Sequence, residues 1–142
     1  MNNKRIISIC LLIAAALLFL NYVKNKSDYR QKMVLAHEMH NVLNHLMVDL
    51  YNARKDSIKD VPADGRWYDK IAFEDFRHGA LQYTLSAEHL WRVSAGQRVL
   101  IADHISHLRI RHKPQTPDIW EVQIEAKQNV SLVSNFKIRI AH

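Results

Sequence analysis

Residues 35–53 read LAHEMHNVLNHLMVDLYNA. Leu35, Met39, Val42, Leu46, Leu50 and Ala53 recur at spacings of 4, 3, 4, 4 and 3, the period of one face of an α-helix. Leu43 and Met47 widen that stripe, while His37, His40, Asn44, Asp49 and Asn52 fall mainly off it. The spacing predicts an amphipathic helix over Ser27–Arg54 with one face turned to a core. A helix packed by a stripe needs a second layer, and the rest of the chain must supply it.

Toward the N-terminus, residues 6–20 read IISICLLIAAALLFL, with Ser8 as the only polar side chain. Lys4 and Arg5 precede the run, and Lys24 and Lys26 follow it. Extended through Val23, it is a helix of roughly 27 Å, close to the ~30 Å hydrocarbon core of a bilayer. The run reads as a membrane anchor built from Ile6, Leu11, Leu12, Ala14, Ala15, Ala16, Leu17, Phe19 and Leu20. Cleavage as a secretory signal is not expected, because the three alanines lie inside the run with Leu17–Leu20 still to come. Lipidation at Cys10 is not expected either, since most of the apolar segment follows it. No glycine or proline separates the run from the amphipathic stretch. One continuous rod is expected, with residues 1–26 as anchor and 27–142 as the domain. The basic residues on both sides leave its orientation open.

Toward the C-terminus the pattern changes to alternation. Val61-Pro62-Ala63-Asp64-Gly65 reads as a loop. In Ala80–Ser86, Leu81, Tyr83 and Leu85 alternate with Gln82, Thr84 and Ser86; then His89, Trp91 and Val93 alternate with Leu90 and Arg92. Ser94-Ala95-Gly96-Gln97 reads as a hairpin connection. Val99–Ile101, Ile105–His112, Ile119–Lys127 and Phe136–Ile140 supply further strands, with Lys113–Asp118 as a loop. The expected class is α+β: a long N-terminal helix, transmembrane in its first half, packed on an antiparallel β-sheet over about 71–141.

The net charge of +6 and sequence pI of 9.6 would permit nucleic-acid binding. The basic residues are scattered, however, and form no ladder with aromatics, so nucleic acid is not an expected partner. Attraction to anionic lipid headgroups suits the balance better. The lone Cys10 excludes a disulfide within the chain and a cysteine metal site.

Nine histidines raise the question of a metal. His37-Glu38-Met39-His40 lacks the spacing of a zinc-protease helix, and His45 is rotated from His40 by roughly 140°. His104 and His107, an odd offset apart in extended chain, are expected on opposite faces. No serine or cysteine nucleophile has a partner by spacing, and no glycine-rich phosphate loop occurs. No metal, cofactor or catalytic residue is expected, and the chain reads as a non-enzyme. Trp67, Trp91 and Trp120 are expected to pack in the core or on the sheet, with ligand binding as the alternative.

Met47-Val48-Asp49-Leu50-Tyr51-Asn52-Ala53 resembles the aspartate-leucine-x-x-alanine end of the long helix in minor pseudopilins of type II secretion systems, the J type in particular. The likeness continues through Ile71-Ala72-Phe73, Leu81-Gln82-Tyr83-Thr84-Leu85 and Leu90-Trp91-Arg92. It then runs through residues 99–105 (VLIADHI), Leu108-Arg109-Ile110-Arg111-His112 and Trp120-Glu121-Val122-Gln123-Ile124. The order and spacing are also similar to minor pilins of type IV pili and competence pseudopili. The resemblance implies a pilin-like fold and a structural role in initiating or capping a pseudopilus. It implies other minor pseudopilins, and the major pseudopilin, as partners. It also implies a single-pass protein of the inner membrane with its C-terminal domain in the periplasm. The helix residues not used by the core, His37, His40, Asn41, Asn44 and Tyr51, are the candidate partner contacts. J-type members can bind calcium through acidic loops, for which this sequence offers no acidic cluster. The N-terminus departs from the family: Arg5 precedes Ile6 where a glycine is expected, and Cys10 stands where a glutamate would be. An unprocessed anchor is therefore expected, packing on neighbours through Ala14, Ala15 and Ala16. The alternative function is a stand-alone membrane-tethered binding domain using Trp67, Tyr68, Trp91 and Trp120.

Overall fold

The computed structural model describes residues 2–54, 57–58 and 61–139, with side chains described from Leu12 onward. The two helical stretches of the sequence merge into a single helix, α1 (Asn2–Tyr51), of 50 residues. At ~1.5 Å per residue it is about 75 Å long. Its C-terminal part does what the spacing predicts: Leu35, Met39, Val42, Leu46 and Leu50 are all buried, as is Ala53 just beyond its end. Met47, expected to widen the stripe, is instead 49% exposed, and Leu43 is only partly buried. The helix stops at Tyr51, short of the expected Arg54. Asn52 donates through its backbone N–H and its side chain to the Val48 carbonyl, capping the last turn. Ala53 then bridges to Asp75, and the Arg54 N–H donates to the Glu74 carbonyl. Pairing with a strand replaces the helical bonds those residues would have made.

Seven strands follow: β1 (Ile71–Asp75), β2 (Gly79–Ser86), β3 (His89–Ser94), β4 (Gln97–Ala102), β5 (Ile105–His112), β6 (Ile119–Lys127) and β7 (Ser131–Arg139). They form two antiparallel sheets rather than the single one expected, ordered β1-β2-β3-β4 and β5-β6-β7. The break falls at Asp103-His104, where His104 adopts φ 60° and swings the chain from one sheet to the next. His104 is thus a turn residue, not part of a strand shared with His107. The sheets are stitched across the break by the Ile105 N–H donating to the Glu88 carbonyl and the Lys127 N–H to the His104 carbonyl. The core lies between the helix stripe and the inner sheet faces, with Ile71, Phe73, Leu81, Leu90, Leu108, Ile110, Trp120, Val122 and Ile124 buried. The α+β class with a long N-terminal helix on antiparallel sheets is therefore shown.

Before Leu35, the described side chains of α1 are exposed except Asp28 and Gln31, which are half-buried. Leu12, Leu17, Phe19 and Leu20 are exposed, as are Ala14, Ala15 and Ala16. The side chains of Ile6 and Leu11 lie outside the described residues. Among the described residues, no helix is long and apolar enough to cross a membrane.

Candidate functional site

Asp49, which helical spacing places off the core stripe, is only 4% exposed. It is buried because β2 and β3 bring polar partners to it from the inner face of the first sheet. Tyr83 and Arg92 are paired residues in the β2–β3 ladder, so their side chains point the same way. The Tyr83 hydroxyl donates to Asp49 Oδ2 at 2.5 Å. Arg92 grips both carboxylate oxygens, Nε to Oδ2 at 2.6 Å and Nη2 to Oδ1 at 3.0 Å. This fork geometry is the strongest form of the pair and compensates the buried charge. Burial, and then the adjacent Asp49 charge, push the Tyr83 phenol far above its ordinary value, so it remains a donor. The hydrogen bond to Asp49 raises the Arg92 guanidinium further.

A second carboxylate sits beside the first. Asp75, 3% exposed, closes the β1–β2 turn. It accepts the Arg77 N–H at 2.6 Å on Oδ1, and His78 Nδ1 lies 2.8 Å from Oδ2. Burial pushes its pKa up, but the His78 and Arg77 contacts outweigh that, and the net shift is downward. Ligand atoms of Asp49, Asp75 and His78 all lie within 4.8 Å of one another, so these are the residues that could approach a metal. Every oxygen of the two carboxylates already accepts a hydrogen bond, and Arg92 supplies positive charge where a cation would add more. The chemistry of the cluster is that of an ion-paired lock. Asp49 ties the end of α1 to β2 and β3, while Asp75 holds the β1–β2 turn through Arg77 and His78.

Against this lock runs an open, mainly apolar groove of about 450 Å³. Asn44, His45, Val48 and Asp49 of α1 form one wall; Arg92, Val99 and Ile101, with His78, form the other. Of the expected partner contacts, His37, His40, Asn44 and Tyr51 are exposed and Asn41 is half-buried. At ~100° per residue the five share a sector of about 100° on α1, away from the buried stripe. Asn44 alone lines the groove. The three tryptophans do not form a common platform. Trp120 of β6 is buried and stacked on His112, Trp91 of β3 lies under Arg98, and Trp67 lies under Arg111 beside β5. The outer face of the second sheet carries Arg111 and Lys113 on Glu121. The Lys113 hydrogen bond first, and Arg111 with it, hold the Glu121 carboxyl below its ordinary value against a partial burial that raises it.

Asp49, Asp75, His78, Tyr83 and Arg92 were not distinguished as a site by sequence spacing. One signal was present: Arg92 shares its strand parity with Leu90, which is fully buried. A guanidinium on a core-facing parity needs an acid opposite it.

No family model, curated protein or solved structure matches this chain. The likeness to pseudopilins stands on the residues quoted from the sequence.

Proposed function

We propose that this chain is a minor pseudopilin-like structural subunit, anchored by the N-terminal part of α1 in the inner membrane with its sheet domain outside the cytoplasm. In this reading it helps initiate or cap a pseudopilus of a type II secretion or type IV pilus-like system. The observation that carries the reading is the unequal use of one helix. From Leu35 onward α1 is consumed by the domain core, while Leu12–Val23 carries seven exposed large apolar side chains plus Val23 itself. An apolar surface of that length has no place in water and calls for lipid or neighbouring helices. The sequence adds Ile6–Leu11 to the same run, and the order of motifs supplies the secretion and pilus context. The sector His37, His40, Asn41, Asn44 and Tyr51 would meet other minor pseudopilins and the major one. Extraction of the full chain in mild detergent, followed by co-purification, tests this. Recovery of other pilin-like subunits supports it; a chain recovered alone from membranes in which such subunits are abundant counts against it.

A further inference from the structure

The groove beside α1 has a feature that specifies its occupant: β4, whose Val99 and Ile101 help line it, is an edge strand with no partner strand beyond it among the described residues. The first sheet ends at β4. Ala95 and Gly96, at φ 49° and 77°, make the two-residue turn from β3, the mirror-image geometry that suits a tight hairpin. Ser94 and Gln97 flank that turn and are paired, as are Val93 with Arg98, Arg92 with Val99 and Trp91 with Leu100. In such a hairpin the flanking pair exchanges hydrogen bonds and the pairs then alternate. The backbone N–H and C=O groups of Arg98 and Leu100 consequently point away from β3, along the free edge. The first four residues of β4 are exposed, whereas Ile101 and Ala102 are buried, and the Asp103 N–H donates to Glu38 on α1. The strand thus meets the helix at one end and diverges from it at the other, leaving a wedge. Val99 and Leu100 point to opposite faces of the sheet, yet are 50% and 43% exposed, and Val48 across the wedge is 59% exposed.

We propose that this wedge is a docking site for an extended segment of a partner protein, which adds to β4 as a fifth strand. The unpaired main-chain groups select extended chain over a helix or a small molecule. The apolar wall of Val48, Val99 and Ile101 takes alternate apolar side chains. The intervening residues fall beside Arg98 on the outer face and are acidic. A second copy of β4 fits badly, since Gln97–Ala102 contains no acid and would set one Arg98 near another. This inference is independent of the assembly reading, because a strand acceptor serves a tethered binding domain equally well.

The test uses the full chain in detergent micelles and a capped peptide alternating valine with glutamate, Thr-Val-Glu-Val-Glu-Val-Thr. Controls are its lysine counterpart and a version N-methylated on alternate amides. The glutamate peptide is expected to slow amide hydrogen exchange at Arg98 and Leu100, and the N-methylated version to leave both unchanged. Arg98→Pro removes an edge N–H without removing a ladder bond and should weaken binding by about tenfold or more. Val48→Glu, on the helix side and away from the ladder, should weaken it similarly by setting a charge against the valine side chains. Three results would overturn the proposal: no protection at those two amides with any peptide, equal binding of the N-methylated peptide, or protection arising from dimerisation without peptide.

Discussion

Arg92 and Asp49 show how one residue's value depends on its partner. Removing a single member of a buried ion pair leaves an uncompensated charge, which costs about 3–5 kcal/mol. Arg92→Met should therefore destabilise the domain by about that amount in urea unfolding. The triple change Arg92→Met, Asp49→Leu and Tyr83→Phe should recover most of it, because no charge is then left buried. Equal losses in the single and triple variants would mean that the lock acts through packing alone. Asp75 adds a pH dependence whose sign follows from its lowered pKa. In the unfolded chain the carboxyl takes up a proton near pH ~3.9; in the fold it does so at lower pH. Its contribution to stability is thus fully present above ~pH 4 and lost as pH falls through the folded value. The stability difference between the wild type and Asp75→Asn should shrink on acidification below ~pH 4 and stay flat above it. The lock itself was hard to see in the sequence for a physical reason. Asp49 on a helix flank reads as solvated, and its arginine lies 43 positions further on, where only long-range pairing brings it back.

The elements were legible where periodicity alone decides them. The α1 stripe survived from spacing to burial because each of its residues faces the same layer, and Leu46→Ala, at a fully buried position, should cost about 2–5 kcal/mol. β6 was readable for the same reason: Trp120, Val122, Ile124 and Ala126 are buried in strict alternation. The division into two sheets was not legible. It depends on left-handed backbone at His104, which is not a glycine. That residue type does not announce a turn, so the change of sheet carries no local mark. Left-handed backbone within the first sheet yields a prediction. Ala87 and Glu88, at φ 50° and 64°, connect β2 to β3, and side chains other than Asn or Gly are disfavoured there. Ala87→Asn with Glu88→Gly should raise stability by about 1 kcal/mol, read as a higher urea midpoint with an unchanged slope. A lower midpoint would mean that the Glu88 side chain has a stabilising role which outweighs its backbone strain.

At the scale of the whole molecule, α1 sets a distance. Val23 ends the exposed apolar stretch, and Leu35 is the first residue that the core buries. Twelve residues of helix separate them, about 18 Å at ~1.5 Å per residue. Lys24, Lys26, Arg30 and Lys32 lie in that interval, long cations able to reach headgroups at a bilayer surface. If the apolar stretch is in lipid, as proposed, the sheet domain stands off the hydrocarbon on a basic stalk. Trp67, Trp91 and Trp120 all belong to the domain and report on this standoff. In vesicles containing brominated acyl chains, their fluorescence should match that in unbrominated vesicles, because bromine quenches only at near contact. A Tyr22→Trp variant adds a fourth indole at the edge of the apolar stretch, and its added emission alone should be quenched. Quenching of the native tryptophans would place the domain on the bilayer instead. Loss of quenching at position 22 would place the apolar stretch among protein helices rather than lipid.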